Sequence, residues 1–117
     1  MPCLDISTNV SLEDGVSTES LFSELTKVVS AIVGKPPAYV MVLLKGSVAI
    51  RFGGNKEPAA FAEIVSMGGI NSEVKRKLIA AIGTILESKL SIPPSRFVLK
   101  VHDTTAGKSK NNINSKL

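Results

Sequence analysis

The sequence predicts an α/β (α+β) fold made of two tandem β-α-β units with pseudo-two-fold symmetry. The four strands form one mixed sheet, and both helices lie on one face of it. Apolar residues recur every three or four positions along two segments, which is typical of amphipathic helices, and β-favouring runs flank each helix. The two halves also match at a spacing of 57 residues, which places Leu21 on Leu78 and Pro36 on Pro93. This spacing indicates an internal duplication.

The first unit begins with a strand predicted from about Cys3 to Val10. Ser17 or Thr18 then caps a helix, because a hydroxyl at this position accepts a hydrogen bond from an unpaired backbone N–H. The apolar stripe of the helix extends from Leu21 to Val33, and Gly34 ends it.

Two more strands are predicted before the second unit. Pro36 and Pro37 prevent the helix from resuming. The strand from Tyr39 to Lys45 is apolar on both faces, which favours an interior position in the sheet. After the turn at Gly46, Val48 to Phe52 is expected to form a short edge strand that pairs with a neighbouring chain.

The second unit repeats this plan. A strand from about Ala59 to Met67 leads to a cap at Asn71 or Ser72, a helix with apolar residues from Val74 to Leu86, and a last strand from Phe97 to Val101. Each helix must join two parallel strands by a right-handed crossover. No third helix covers the other face of the sheet, so we expect self-association, for which an odd ring such as a trimer is the natural solution.

Length and composition limit the class of protein. A chain of 117 residues can bury one core, and we expect a single domain over residues 1–103 followed by a polar tail over 104–117. Cys3 and His102 are the only residues of their types, so we expect no internal disulfide, no metal and no other cofactor. No apolar run is long enough to span a membrane and no secretory signal opens the chain, so we expect a soluble protein that binds no membrane.

The net charge of +4 does not indicate a nucleic-acid partner. The lysines are spread over both helices and the tail, and aromatic residues make up only 4% of the chain, so stacking rings do not alternate with a basic patch.

The last three residues, Ser115, Lys116 and Leu117, match a peroxisomal import address. We therefore expect the protein in the peroxisome, the cytoplasm or both, with the peroxisomal import receptor as one partner.

Pro2 is the first candidate for a catalytic residue. An initiator Met before a proline is normally removed, which leaves a prolyl amine at the start of the first strand. Such an amine acts as a general base near pH 7 only if apolar burial or a nearby cation lowers its pKa. Cys3 is better interpreted as a small buried hydrophobe than as a nucleophile, and His102 as a surface imidazole.

Motifs over nearly the whole chain before the tail resemble those of a known family. They are Pro2, Thr8-Asn9-Val10, Leu21 to Thr26, Gly34 to Tyr39, Phe52-Gly53-Gly54, Glu57-Pro58, Ser66-Met67-Gly68, Ser88-Lys89-Leu90, Pro94-Ser95-Arg96 and Asp103. With these residues the sequence resembles the family of macrophage migration inhibitory factor and D-dopachrome tautomerase. The terminal Ser-Lys-Leu resembles the plant members.

The resemblance implies a homotrimer with the tautomerase-superfamily fold and Pro2 as the base for keto–enol tautomerisation of arylpyruvate-type acids. It implies that Lys35 lowers the pKa of Pro2 and binds the substrate carboxylate, and that the backbone N–H of Met67 contacts the ligand. By itself, Lys35 is typical of a lysine at a helix C-terminus. The implied pocket walls are Ser66, Tyr39 and Phe52.

The departures from the family pattern concern the same pocket. Val98 and Lys100 stand where mammalian members have a tyrosine and an asparagine that a neighbouring subunit contributes. Val98 lacks the aromatic wall and Lys100 adds a second cation, so we predict weak or altered activity. Ala59 to Ala62 replaces the family's Cys-x-x-Cys, so thiol–disulfide chemistry is not expected.

Two functions therefore remain open. One is a tautomerase, and the other is a non-enzymatic signalling or interaction protein, a cytokine-like trimer that binds a protein receptor through its surface. The two are compatible with each other.

Overall fold

The computed structural model describes residues 1–12 and 15–105, without the side chains of residues 15–17. The predicted peroxisomal address lies outside the described residues, as does the tail from residue 106, so both stay predictions. The elements are β1 (Cys3–Thr8), α1 (Gly15–Val33), β2 (Met41–Lys45), β3 (Ala60–Ser66), α2 (Ser72–Leu90) and β4 (Phe97–Asp103), with 3₁₀ turns at Pro37–Tyr39 and Pro94–Arg96.

The sheet confirms the predicted duplication. Its strand order is β2-β1-β3-β4, in which β1 pairs with β2 and β3 pairs with β4 in parallel. The two units join through the antiparallel pair of β1 with β3. The spacing of 57 residues holds for both ends of the helices and for both 3₁₀ turns. The two β-α-β units therefore share one backbone plan.

One hydrophobic core lies between the sheet and the two helices. Alternate residues of β1 and β3, such as Leu4 and Ile64, are fully buried against the helices. The helices contribute their buried stripes, and each fully buried side chain of this size stabilises the fold by roughly 1.5–3 kcal/mol. The largest contributors from the helices are Leu21, Leu25, Leu78, Ile82 and Leu86. Among the described residues, no helix is long and apolar enough to cross a membrane.

The helix ends differ in how well they match the prediction. Asn71 caps α2 as predicted, since its side chain accepts a hydrogen bond from the Val74 N–H at 2.8 Å. The cap predicted at Ser17 or Thr18 is wrong, because α1 already begins at Gly15. The Thr18 hydroxyl donates to the Leu12 carbonyl at 3.0 Å and so anchors the preceding segment.

The interior position predicted for the second strand is also wrong, because β2 lies at an edge of the sheet. The apolar residues on the two faces of β2 have different surroundings. Val42 and Leu44 pack against the core, whereas Met41 and Leu43 are 55% and 39% exposed on the opposite side. A sequence pattern of two apolar faces therefore does not distinguish burial within the chain from an exposed apolar surface.

Val48 to Phe52 does not form the predicted strand within the chain. Val48 N donates to Thr8 O at 2.9 Å, and Phe52 and Asn55 form an isolated bridge. Strands are stabilised by continuous ladders of hydrogen bonds, and the described residues supply no such ladder for this segment.

The duplication places a left-handed residue directly after each helix, and the cost of this conformation can be tested at the end of α2. Gly34 follows α1 at φ 80°, and the equivalent Ser91 follows α2 at φ 57°. A left-handed residue with a Cβ costs about 1–2 kcal/mol, so Ser91→Gly is expected to raise the free energy of unfolding by about 1 kcal/mol. Ser88→Gly, at an exposed position inside α2, is the matched control and should lower it by about 1 kcal/mol. Urea denaturation measures both, and a loss of stability in Ser91→Gly would contradict the interpretation.

Candidate functional site

Pro2 lies at the end of the sheet where β1 begins. Its side chain is fully buried, and its carbonyl accepts a hydrogen bond from Met41 N at 2.9 Å. Cys3 pairs with Met41 on one side and Val65 on the other, so Pro2 is placed between the start of β2 and the end of β3. The ring faces the core because β1 alternates, and Leu4 and Ile6 point the same way.

Met1 precedes Pro2 and is 70% exposed. With Met1 attached, the Pro2 nitrogen is a peptide nitrogen that cannot accept a proton. The role proposed for Pro2 therefore requires removal of Met1, and the exposed position of Met1 leaves its peptide bond at the surface.

Lys35 reaches the same end of the sheet from the helix layer. Gly34 turns the chain out of α1, and the Ser30 hydroxyl donates to the Lys35 carbonyl at 2.6 Å. The Lys35 ammonium then lies 3.4 Å from the Met67 carbonyl, which accepts its hydrogen bond. A cation is thus held beside the turn that follows β3.

That turn is built from Met67, Gly68 and Gly69. Both glycines have left-handed φ angles, 82° and 78°. A Cβ on Gly69 would lie 2.8 Å from the Val33 carbonyl oxygen, so the turn packs directly on the end of α1. Ser66 is buried, and its hydroxyl donates to the Gly68 carbonyl at 2.9 Å.

Asp103 holds the other side of this turn. Its Oδ1 accepts hydrogen bonds from Gly68 N at 3.1 Å and from Thr105 N at 2.9 Å, and also from the Thr105 hydroxyl. Sequence reasoning assigned Asp103 no role beyond its place in a matching motif. The available signal was an acidic residue just after the last predicted strand, because a parallel partner places it beside the Gly68-Gly69 turn.

Tyr39 also belongs to this end of the molecule. It closes the 3₁₀ turn before β2, and its side chain is 54% exposed. Met67 is similarly exposed, at 56%. The structure therefore brings together five of the predicted site residues: Pro2, Lys35, Tyr39, Ser66 and Met67.

The other three predicted site residues lie elsewhere in the chain. Val98 and Lys100 are exposed on the face of the sheet away from the helices. Val98 pairs with Phe61, five residues before Ser66 on β3, which corresponds to roughly 16 Å along the strand. Within one chain, they do not meet Pro2.

Phe52 lies at the opposite end of the sheet from Pro2, where Arg96 holds it. The Arg96 guanidinium is 5.1 Å from the centre of the Phe52 ring and donates to the Phe52 carbonyl at 3.2 Å. It also donates to the carbonyls of Pro58 at 2.8 Å and Glu57 at 2.9 Å. Arg96 therefore fixes the connection between β2 and β3.

The sheet face away from the helices, called the helix-free face below, carries both charged and apolar side chains. Lys45 Nζ lies 3.1 Å from Asp5 Oδ1 and donates a hydrogen bond to Oδ2 at 3.2 Å, while His102 lies 3.4 Å from Glu63. Asp5 Oδ1 is buried, and its contact with Lys45 lacks hydrogen-bonding geometry. The contact between Lys45 and Asp5 Oδ1 is therefore an ion pair without a hydrogen bond. The exposed apolar side chains of this face are Met41, Leu43, Phe61, Val65 and Val98.

Cys3 belongs to the same face and is half-buried. Burial raises the pKa of the Cys3 thiol above its ordinary value, and the neighbouring Asp5 carboxylate raises it further. A raised pKa lowers the thiolate fraction, which supports the interpretation of Cys3 as a packing residue. Within residues 1–12 and 15–105, no three His, Cys, Asp or Glu side chains are grouped so as to hold a metal ion.

Comparison with known proteins is consistent with this geometry. The family model described as macrophage migration inhibitory factor matches residues 1–113. The chain belongs to the macrophage migration inhibitory factor family. A homologue from Trichuris trichiura is 36% identical over 103 residues, which cover 88% of this chain and 89% of that protein.

Solved structures of family members have the same fold. The homologue from Prochlorococcus marinus has a TM-score of 0.83 at 28% identity and covers 89% of this chain and 90% of its own. The Trichinella spiralis protein has a TM-score of 0.81 at 29% identity, with 88% and 89% covered. Membership in the macrophage migration inhibitory factor family therefore rests on sequence and on fold, whereas the completion of the site by Val98 and Lys100 stays a prediction.

The two glycines of the turn provide a matched pair of variants. Gly68→Ala and Gly69→Ala each place a Cβ on a left-handed residue, which costs about 1–2 kcal/mol. Only the Cβ at Gly69 meets the Val33 carbonyl, while a Cβ at Gly68 has no atom within 4 Å. We expect Gly69→Ala to lower the free energy of unfolding by about 1–3 kcal/mol more than Gly68→Ala. Equal losses in urea denaturation would show that the contact with α1 is not close.

Proposed function

We propose that this protein is a tautomerase that interconverts the keto and enol forms of arylpyruvate-type acids as a homotrimer, with Pro2 as general base. The observation that carries the proposal is the burial of the Pro2 ring at the end of the sheet where Lys35 contacts the Met67 turn. Family membership supports it, and so do the exposed apolar side chains of the helix-free face, which a trimer would cover.

The mechanism follows from these groups once Met1 is removed. Burial and the nearby Lys35 ammonium both disfavour a protonated amine at Pro2, which keeps it available as a base. The neutral amine removes the proton from the carbon next to the substrate carbonyl, and the C–H electron pair forms the C=C bond of an enolate. Positive charge from Lys35 stabilises the enolate oxygen. The proton now held by the Pro2 ammonium is returned to that oxygen, which gives the enol and regenerates the neutral amine.

The substrate is held through its carboxylate in this proposal. Lys35 supplies one cation, and Lys100 of a neighbouring subunit supplies a second where mammalian members of the family have a neutral amide. Val98 offers no ring on which an aryl group packs. Because substrate orientation controls rate by orders of magnitude, activity is expected to be weak or altered.

The first test concerns the base. Pro2→Gly is expected to lower kcat/KM for phenylpyruvate tautomerisation by about 100-fold or more, because a positioned general base contributes 10²–10⁴-fold. Mass spectrometry of both intact proteins is the control, since each must lack Met1 for the comparison to be valid. A Pro2→Gly protein with the full wild-type rate would rule out Pro2 as the base.

The second test asks whether positions 98 and 100 belong to the pocket. Val98→Tyr combined with Lys100→Asn restores the family residues and is expected to raise kcat/KM for phenylpyruvate by about tenfold, since one well-placed aromatic or polar contact stabilises by about 1.4 kcal/mol. The matched control is Leu43→Tyr with Lys45→Asn, which replaces an exposed aliphatic residue by tyrosine and a lysine by asparagine at the same spacing on β2, elsewhere on the helix-free face. An equal gain in the control would contradict a role for positions 98 and 100 in the pocket.

The replacement of the mammalian tyrosine and asparagine by Val98 and Lys100 also favours a second function. If the wild-type protein has no tautomerase activity and the variant with Val98→Tyr and Lys100→Asn has activity, the natural site has lost its catalytic function. The protein would then act through its surface as a non-enzymatic signalling or interaction trimer.

A further inference from the structure

The turn after β3 connects an anion to a cation through one peptide group. Asp103 Oδ1 accepts a hydrogen bond from Gly68 N at 3.1 Å, and the Met67 carbonyl accepts one from Lys35 Nζ at 3.4 Å. The Gly68 N–H and the Met67 C=O belong to the same peptide unit. No cis peptide bond is present among the described residues, so these two groups point in opposite directions.

This arrangement fixes the orientation of the peptide in two ways. A side-chain oxygen that accepts from the N–H and an ammonium that donates to the C=O both favour the same orientation of the peptide. Gly68 and Gly69 otherwise permit rotation of this peptide, because glycine has a wide choice of φ and ψ. Rotation would turn the Met67 carbonyl away from Lys35 and release its side chain.

The surrounding hydrogen bonds hold Asp103 itself in place. Asp103 pairs with Ser66 across β3 and β4, and Thr104 N extends this ladder to Ser66 O at 2.9 Å. Thr105 donates its backbone N–H and its hydroxyl to the same Asp103 oxygen. The end of β4 thus forms a rigid support for the turn.

We propose that Asp103 is a positioning residue that orients the Lys35 ammonium through the peptide group between Met67 and Gly68. It does not touch the substrate. The kinetic part of its test rests on the proposed tautomerase function, whereas the binding part does not.

The test compares Asp103→Ala, which removes the acceptor, with Asp103→Asn, which keeps an oxygen acceptor without the charge. For phenylpyruvate, we expect Asp103→Ala to raise KM and to lower kcat, with a loss of at least tenfold in kcat/KM, because Lys35 both holds the carboxylate and stabilises the enolate. We expect Asp103→Asn to stay within threefold in both. Thr105→Val is the matched control, because it removes a partner of Asp103 but leaves the bond to Gly68, and it should also stay within threefold. Wild-type kinetics in Asp103→Ala would overturn the proposal.

Binding of 3-phenylpropionate and of the neutral 3-phenylpropanamide, followed by NMR titration, gives a readout that needs no turnover. Asp103→Ala should weaken the acid about tenfold and leave the amide within threefold. In a Lys35→Met background, Asp103→Ala should cause no further loss, because its effect passes through the ammonium. Equal weakening of acid and amide, or an undiminished loss in the Lys35→Met background, would overturn the proposal.

The variants also cover two other outcomes. If Asp103→Ala does not fold, Asp103→Ser, whose hydroxyl is one bond shorter than the carboxylate and does not reach the Gly68 N–H, replaces it in both tests with the same expected and contradicting results. A tenfold loss of acid binding in Asp103→Asn would show that the charge acts directly and would overturn the peptide-mediated role. If wild type binds the acid but has no activity, the proposed function fails, and the binding cycle still supports or overturns the role of Asp103.

Discussion

The antiparallel pairing of β1 with β3 is the constraint on which the site depends. In an antiparallel pair, the start of one strand lies beside the end of the other, so Pro2 meets the Ser66–Gly69 turn. In the parallel pair of β1 with β2, the crossover helix must end near the start of both strands, which brings Lys35 to the same place. The topology therefore brings together Pro2, Lys35 and the turn from three distant parts of the chain.

Duplication alone does not give the two ends of the sheet the same side chains, because the equivalent positions at the opposite end differ in chemistry. At the spacing of 57 residues, Lys35 corresponds to Ile92 and Pro2 to Ala59, both of which are buried apolar residues. The left-handed helix ends at Gly34 and Ser91 are kept, as are both 3₁₀ turns. Backbone geometry is thus shared, while the proline and the lysine of the candidate site occur in the first copy only.

Local patterns predicted the elements well, and contacts across the chain account for the errors. Apolar periodicity and the cap at Asn71 act within a few residues, so they are visible in the sequence. The edge position of β2 and the missing strand after it depend on which hydrogen-bonding partners the folded chain supplies. The hydrogen bond of Asp103 to the turn likewise joins residues 35 positions apart, so the sequence signalled only an acidic residue after the last strand and not its partner.

Hydrogen bonds within one chain hold the connection between β2 and β3, without any contact from a neighbouring chain. Asn9 donates to the carbonyls of Lys56 at 3.3 Å and Glu57 at 3.0 Å and accepts from Ala59 N at 2.9 Å, while Arg96 holds the other side through Phe52 and two further carbonyls. Most of these bonds use backbone groups, so they fix the path of the chain regardless of the loop's own side chains. A segment that is already ordered loses less conformational entropy on association. Val98 and Lys100 lie far from Pro2 within one chain, so in the proposed trimer a neighbouring subunit would supply them. Because the connection between β2 and β3 is already ordered, association of the subunits would complete the site without first ordering this segment.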